Sequence, residues 1–373
     1  MRHHHRESVA FTLVVTLLAL VGAGVMVLII ALSGAPSSML LAAVLAFLPV
    51  GPLVGAFLWL DRYEPEPRRL LAAGLLWGAF VATAAALLLQ GLGGLFVGFD
   101  DAQMLAVVAP VTEEATKGAF LLLLLWWRRA ELDGILDGIV YAGMVGIGFA
   151  FVENILYLAA AYNGTDGLGP GGVEELTATF VVRCLVSPFA HPLFTAFTGV
   201  GVGIAVGSRS RAVRLAAPVL GYLAAVLTHG LWNAAAIGVA GGFIVVYLTL
   251  MAPVFLAVVG FAAWLRAAER RMLTRALTDV AQRGLLPASD IGWIVDLRAR
   301  RAGRRHAEQV GGERAKELMR EYQQAAVELG FLHHRYLRGT PPPDYAARGQ
   351  VFVARLGELR PYISFPGQVV PTR

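Results

Sequence analysis

Charged residues are scarce in this chain. Only 15% of its 373 residues are Asp, Glu, Lys or Arg, whereas 57% are hydrophobic and the mean hydropathy is +0.64. A soluble globular domain has about 25% charged and roughly 45–50% apolar residues. The composition therefore excludes an ordinary soluble fold and indicates a protein with many membrane-spanning segments.

Cysteine and lysine are nearly absent as well. Cys184 is the only cysteine, which excludes an internal disulfide, a zinc ribbon and a CxxC redox pair. Lys117 and Lys316 are the only lysines among the 31 basic residues. Because arginine carries almost all of the positive charge, the positions of the arginines decide the predicted topology.

Long apolar runs are what the sequence has instead of charge. Spanning a bilayer takes about 20 apolar residues, and the first 265 residues supply eight such runs. They predict an all-α integral membrane protein with about eight transmembrane helices, the first of them a signal anchor. The approximate bounds of the runs are 9–32, 38–60, 70–92, 102–127, 135–160, 176–206, 212–240 and 243–265.

The arginines alternate between the two sides of these runs. They lie before the first run and in every second loop after it, whereas the intervening loops contain neither Lys nor Arg. Those loops are 33–37, 93–101, 161–175 and 241–242. By the positive-inside rule, both termini are predicted to be cytoplasmic and the protein to span the cytoplasmic (plasma) membrane.

Residues 266–373 have a different composition. We expect a basic, soluble, helical cytoplasmic tail there, beside a transmembrane domain at residues 1–265. The tail carries 18 Arg and 1 Lys against 11 Asp and Glu, a net charge of +8, which leaves −3 for the rest of the chain. Residues 310–332 predict an amphipathic helix. Such a basic tail can contact anionic membrane lipids. A small helical appendage without a lipid role is the simpler interpretation. No nucleic-acid partner is expected.

Polar residues occur inside four of the apolar runs. A charge at the bilayer centre costs about 2.5–3.5 kcal/mol on insertion scales, and such residues usually mark a functional interior. They are Glu113, Glu114 and Lys117 in the fourth run, Glu153 and Asn154 in the fifth, His191 and Thr195 in the sixth, and His229 and Asn233 in the seventh. Residues four apart share a helix face, so each helix presents one polar stripe, and the stripes lie at similar depths in the outer half of the membrane. Pro188 and Pro192 predict a break in the sixth helix beside His191.

Two kinds of chemistry fit two histidines and three glutamates. A carboxylate can act as a general base on water, and two His with one Glu form a standard catalytic zinc set. The sequence contains no HExxH and no GxSxG motif, which excludes zinc proteases with a single-helix motif and serine hydrolases of that kind. Intramembrane Glu, Lys and His also build proton relays in transporters, and a non-catalytic membrane scaffold is a third alternative.

The four polar stripes resemble one known family. The motifs are Glu113-Glu114-x-x-Lys117, Phe149-x-x-x-Glu153-Asn154, His191-x-x-Phe194-Thr195 and His229-x-x-Trp232-Asn233. Together they are similar to the PrsW family of intramembrane proteases, which is related to the CAAX prenyl endopeptidase and Abi group. The segment Asp61-Arg62-Tyr63-Glu64-Pro65-Glu66-Pro67 adds to the resemblance, which covers about residues 50 to 240.

The resemblance implies hydrolysis of a peptide bond in a single-span or otherwise membrane-anchored protein, such as an anti-sigma factor. It implies that Glu113 or Glu114 activates water while Lys117 balances the charge. Glu153, His191 and His229 would bind a metal such as zinc, or would orient water and stabilise the oxyanion without one, with Asn233 as a further donor. Glu113 and Glu114 differ by about 100° around the helix, so only one of them is expected to face the reacting centre.

Overall fold

The computed structural model describes residues 2–32, 36–63, 65–164, 170–238 and 242–367. Its regular structure, within these residues, is helical throughout. The chain divides into two compact units, one of Met1–Asp61 with Pro65–Ala262 and one of Arg62–Glu64 with Ala263–Arg373. Parts of the predicted loops 33–37, 161–175 and 241–242, and Glu64 of the segment after the second run, lie outside the described residues.

The helices follow the apolar runs closely. The α-helices are α1 (Arg2–Leu32), α2 (Pro36–Phe47), α3 (Val50–Leu60), α4 (Arg68–Leu76), α5 (Thr83–Val97), α6 (Asp101–Gln103), α7 (Ala109–Trp127), α8 (Ile135–Asn163), α9 (Val173–Phe180), α10 (Ala190–Gly207), α11 (Arg211–Ala236), α12 (Gly242–Val246), α13 (Ala252–Gln282), α14 (Ile291–Val295), α15 (Leu297–Leu337) and α16 (Tyr345–Leu359). Four π-helical segments continue the membrane helices at Trp77–Ala82, Met104–Val108, Val181–Val186 and Tyr247–Met251.

Seven helical stretches in the described part of the chain are long and apolar enough to cross a bilayer. They are Val9–Ala31, Ser37–Leu60, Arg68–Val97, Ile135–Asn163, Val173–Gly207, Arg211–Ala236 and Gly242–Gln282. The prediction of an all-α, multi-pass integral membrane protein is thereby confirmed. The fourth predicted run, residues 102–127, is helical too, from α6 through α7. It does not belong to the seven because Glu113, Glu114 and Lys117 place three charges within two turns.

Proline interrupts two of the membrane helices. Pro49 separates α2 from α3, and Pro188 lies between the π-helical segment ending at Val186 and the start of α10 at Ala190. Proline has no backbone N–H and clashes with the carbonyl four residues earlier, so it ends or kinks a helix. The break at residues 187–189 is the one predicted beside His191.

The centre of the first unit is α8, most of whose residues are buried. Glycine lets its neighbours approach closely. A Cβ on Gly138 would lie 2.1 Å from the carbonyl oxygen of Gly199 in α10. A Cβ on Gly146 would lie 2.7 Å from the backbone of Pro192. These contacts hold the beginning of α10, with His191, against the middle of α8.

The second unit has a core of its own. It is built from the later part of α13 with α14, α15 and α16, and Tyr322 and Phe365 are wholly buried in it. The amphipathic helix predicted at residues 310–332 lies within α15 but begins after residue 312, because α15 is kinked where Gly312 has φ of +69°. On its apolar face Met319, Tyr322, Ala326 and Leu329 are buried, and Leu318 is partly buried.

Candidate active site

Four helices bring most of the predicted site residues together. Glu113, Glu114 and Lys117 lie on α7, Glu153 on α8, His191 on α10 and His229 on α11. The ammonium of Lys117 is at the centre of the group. Its Nζ lies 2.8 Å from Oε1 of Glu114, 3.4 Å from Oε2 of Glu113 and 3.0 Å from Nδ1 of His191. The side chain of Lys117 is fully buried.

Glu114 is enclosed by hydrogen-bond partners. Besides Lys117, its Oε1 lies 3.0 Å from Nδ1 of His229, and its Oε2 accepts a 3.0 Å hydrogen bond from the hydroxyl of Thr195. Glu114 is also fully buried. Both of its oxygens are therefore occupied in fixing α7 against α10 and α11, and Glu114 is placed to orient His229.

Glu113 is held more loosely than its neighbour. Its Oε1 accepts a 3.3 Å hydrogen bond from the amide of Gln90 on α5, and its Oε2 lies 3.8 Å from Nε2 of His229. These contacts are longer than those of Glu114, so a water molecule can replace them at lower cost. Gln90 was not singled out from the sequence, because a lone glutamine near the end of an apolar run carries no distinctive signal.

His191 is oriented by a carboxylate on a different helix. Its Nε2 lies 2.6 Å from Oε2 of Glu153, and Glu153 in turn pairs with Nη2 of Arg183. The Nε atom of Arg183 donates a 2.7 Å hydrogen bond to Oδ1 of Asn154. Arg183, in the π-helical segment Val181–Val186, is a further residue that sequence reasoning missed. It was assigned to an apolar run in which a single arginine formed no pattern.

Aromatic rings close the site from the sides. The ring of Phe149 lies 3.9 Å from Nζ of Lys117, a cation–π contact. Phe194 stacks on the ring of His229 with centroids 4.8 Å apart. Both phenylalanines belong to the motifs read from the sequence. Desolvated cation–π contacts stabilise by about 2 kcal/mol or more, so Phe149 supports the buried charge of Lys117.

Asn233 lies away from the carboxylates. Its Nδ2 donates a 2.9 Å hydrogen bond to the carbonyl oxygen of Leu105, in the π-helical segment Met104–Val108. A π-helical turn shifts the backbone hydrogen bonds from their regular partners, which lets a side chain bind that carbonyl. Asn233 thereby connects α11 to the π-helical segment that precedes α7, and its role as an oxyanion donor stays a prediction.

Three of these side chains can hold a metal ion. One oxygen of Glu113 and one ring nitrogen each of His191 and His229 lie within 4.8 Å of one another, and all three residues are buried. Two histidines and a carboxylate are a catalytic zinc set. In addition, each histidine has a nitrogen at a second carboxylate, which is how metal-bound histidines are usually oriented. The donor set therefore fits zinc. Glu153, expected from the resemblance to be the third ligand, is not part of this group among the described residues and instead contacts His191 and Arg183.

A small cavity reaches His191 from the broken helix. It has a volume of about 80 Å³ and is lined by Arg183, Ser187 and Pro188 on one side and by Trp232 on another. His191 is the one member of the metal-binding group that lines it. The break at residues 187–189 therefore shapes the access to the buried cluster.

The segment after α3 forms a second buried polar contact. Tyr141 of α8 donates a 2.6 Å hydrogen bond to Oε2 of Glu66, and the backbone N–H of Glu66 donates to Oδ2 of Asp61 at 2.9 Å. Burial, with a smaller contribution from the charge of Asp137, raises the pKa of Glu66 to about 10. Burial also raises the pKa of Asp61 to about 7. Glu66 is thus neutral at pH 7 and fastens this segment to α8.

The fold and the site define an integral membrane protein with a buried glutamate and histidine centre. A family profile described as PrsW family intramembrane metalloprotease matches residues 66–258, just over half of the chain. The chain belongs to this family, as its four polar motifs indicated. No solved structure matches it significantly.

Three curated proteins, each named Protease PrsW, are similar to the chain. The protein of Geobacillus kaustophilus is 30% identical over 147 residues, 39% of this chain and 59% of the relative. That of Clostridioides difficile is 34% identical over 120 residues, 31% of this chain and 49% of the relative. That of Bacillus subtilis is 29% identical over 189 residues, 48% of this chain and 76% of the relative. The chain thus spans about half to three-fifths of the length of the first two.

Proposed function

We propose that the protein is an intramembrane endopeptidase that hydrolyses a peptide bond of a single-span or otherwise membrane-anchored protein. One observation carries the proposal: Glu113, His191 and His229 converge in the buried interior of the helices. Each histidine is also oriented by a separate carboxylate, Glu114 or Glu153. Such an arrangement is suited to activating water and is not needed to pack helices, for which apolar side chains suffice.

Glu113 is the residue that we assign to the attacking water. Its contacts of 3.3 to 3.8 Å are the loosest of the cluster. The water oxygen forms a bond to the carbonyl carbon of the substrate while its proton passes to Oε2 of Glu113. The carbon–nitrogen bond then breaks, and the same proton moves to the leaving amine nitrogen.

Lys117 and the two histidines balance the charge that develops during this step. The ammonium of Lys117 already lies 3.0 Å from His191 and 3.4 Å from Glu113. A preorganised donor in a water-poor site stabilises an oxyanion strongly because it need not reorient. Glu114 and Glu153 act through the histidines and are positioning residues.

A metal ion would use the same residues in another way. Were zinc bound, Glu113, His191 and His229 would hold it and Glu113 would be a ligand rather than the base, while the ion would supply a Lewis acid for water and the substrate carbonyl. Glu114 and Glu153 keep the histidine nitrogens aimed at the centre with or without the ion. The carboxylates also prevent either histidine from turning its ring away.

The substrate is proposed to be membrane-anchored because the reacting groups lie within helices that span the bilayer. An anti-sigma factor with a single span is a candidate of this class. We propose, from the alternation of the arginine-rich loops, that both termini are cytoplasmic and that the cluster therefore lies in the outer half of the plasma membrane. The cavity at residues 187–189 is the proposed route by which an extended stretch of substrate reaches His191.

The proposal is tested with purified protein in proteoliposomes that also contain a single-span substrate. Wild-type protein should release two fragments, and Glu113→Gln should release none while inserting normally. Glu174→Gln, an exposed change at the start of α9, is the matched control and should cleave as wild type does. Normal cleavage by Glu113→Gln would refute the assignment.

The same vesicles separate the alternatives. A pH-dependent proton flux without hydrolysis would support a transporter, and an uncut partner that co-purifies with wild-type protein would support a scaffold. Metal dependence is a separate measurement. If zinc is required, chelation stops cleavage and elemental analysis finds about one metal per chain, lost in His191→Ala. Full activity after chelation would support water activation by Glu113 alone.

A further inference from the structure

A buried charge in the second unit has no part in the proposed active site. Arg300 of α15 is only 5% exposed. Its Nε and Nη2 atoms are buried, and neither has a hydrogen-bond partner within the part of the chain that the structure describes. A buried polar group without a partner destabilises the folded state, and a charged group does so more strongly. Since buried charges in proteins are paired as a rule, the guanidinium of Arg300 points to an anion from outside the chain.

The surroundings of Arg300 add positive charge. Burial, with a smaller contribution from the charge of neighbouring Arg304, lowers the pKa of Arg300 to about 10, while Tyr63 acts in the opposite direction. Arg300 therefore remains cationic at neutral pH. Arg304 lies one helical turn away on the same face, and the charge of Arg320 acts on it in turn. The positive charge of these arginines attracts anions to this region.

A buried glutamine holds the two arginines in place. The Oε1 atom of Gln323 accepts a 2.8 Å hydrogen bond from Nε of Arg304. Its Nε2 donates to the carbonyl oxygens of Trp293, at 3.0 Å, and Arg300, at 3.3 Å. Gln323 is fully buried, so the segment of α15 that carries both arginines is fixed to the core of the unit. The guanidinium of Arg304 and the backbone of Arg300 are thus held in place before any ligand arrives.

We propose that Arg300 and Arg304 form a binding site for a phosphate-type anion. Guanidinium groups pair with phosphate oxygens through two parallel hydrogen bonds, which supplies the partners that Nε and Nη2 of Arg300 lack. The phosphate can belong to an anionic phospholipid headgroup or to a free phosphate ion.

Chain connectivity favours the lipid headgroup. Tyr63, whose charge interaction with Arg300 was noted above, follows Leu60, the last residue of the span Ser37–Leu60, by three residues. Three residues reach at most about 10 Å. Tyr63 therefore stays close to the depth of the headgroups, on the side of the membrane predicted to be cytoplasmic, where anionic lipids attract arginine-rich segments.

The test measures thermal unfolding of the full-length chain. Nanodiscs of phosphatidylcholine alone are compared with nanodiscs that also contain phosphatidylglycerol, and inorganic phosphate is titrated into protein in neutral detergent. A ligand that binds only the folded state raises the unfolding temperature. We expect such a rise for wild type and none for Arg300→Met. Arg301→Met, the adjacent exposed arginine, is the matched control and should retain the rise.

The apparent affinity for the anion should fall by at least about tenfold to a hundredfold in Arg300→Met, the worth of one of the two charge-assisted hydrogen bonds that this substitution removes. A rise with phosphatidylglycerol alone identifies the lipid as the source, and a rise with inorganic phosphate identifies the free ion. If Arg300→Met fails to fold, Arg304→Gln is measured in the same way, because Arg304 is only half-buried. This variant should show a smaller rise in unfolding temperature than wild type. The proposal is overturned if wild type shows no rise with either anion, or if Arg300→Met shows the same rise as wild type.

Discussion

Oε1 of Glu114 lies 3.0 Å from Nδ1 of His229. This contact turns Nε2 of His229 towards Glu113, whose Oε2 is 3.8 Å away. Two adjacent glutamates on one helix thereby acquire different positions with respect to the same imidazole. Glu114 anchors the ring, and Glu113 lies across from its other nitrogen, where water or a metal can bind.

Glu114→Ala should destabilise the folded protein more than Glu113→Ala does. Removing Glu114 takes the closest counter-charge from the buried ammonium of Lys117, and a broken buried ion pair costs about 3–5 kcal/mol. Glu113→Ala removes longer contacts and should cost less, while lowering the cleavage rate by about 10²–10⁴-fold as loss of a general base does. Denaturant unfolding in micelles and cleavage in proteoliposomes measure the two effects. Equal stability of both variants would contradict the division of roles.

Arg183→Gln should slow cleavage although Arg183 is not assigned to the chemical step. Without the guanidinium, Glu153 loses the partner that holds it against Nε2 of His191. Loss of such an outer contact lowers activity by about 10–100-fold. Arg183→Lys should recover part of the rate. Arg211→Gln, an exposed change at the start of α11, should leave kcat unchanged; a similar loss there would indicate a general effect of charge.

Gly146→Ala should impair both folding and cleavage. The new Cβ would lie 2.7 Å from the backbone of Pro192, which cannot move aside as a flexible side chain does. The start of α10, including His191, must then shift away from α8, at a cost of about 1–3 kcal/mol. In Gly91→Ala no heavy atom lies within 4 Å of the new Cβ, so this variant should be at least as stable as wild type. Thermal unfolding of the two variants in one detergent provides the comparison.

The folded protein should become less stable as the pH rises, because Glu66 is buried as a neutral acid. Its pKa is about 10 in the folded protein against an ordinary value of 4.5, so between these values the folded state holds a proton that the unfolded state has released. The slope from this residue is at most about 1.4 kcal/mol per pH unit. Glu66→Gln keeps an acceptor for Tyr141 and should flatten the dependence between pH 5 and 9. Unfolding temperatures of wild type and Glu66→Gln, measured across this pH range, test the prediction. If both proteins show the same pH dependence, a group other than Glu66 holds the proton.

Much of the fold was readable from the sequence because lipid imposes simple requirements. Seven of the eight apolar runs reappear as candidate spans, although the last continues to Gln282, well past the predicted 265, and the break at Pro188 follows from the missing N–H of proline. Helical spacing and similar depth also led us to expect polar residues of four runs to meet, but with Glu153 rather than Glu113 beside the two histidines. These features depend on the periodicity of one helix or on the length of one run, which are local properties.

Contacts between site residues on different helices could not be predicted from the sequence. Arg183 and Glu153 are 30 residues apart and belong to different helices, and Gln90 reaches Glu113 from α5. Such contacts depend on how far each helix is rotated about its own axis and on where glycines allow close approach. Neither quantity has a signature in a single sequence.

The sequence by itself determined the class of this protein: a chain with few charges and long apolar runs must enter the membrane, and polar residues kept there mark a site. Only the tertiary structure decided the separate positions of Glu113 and Glu114, the carboxylate that orients each histidine, and the burial of Arg300, whose Nε and Nη2 have no partner among the residues that the structure describes. Spacing places a residue on a face of its own helix, whereas the packing of helices decides what that face meets.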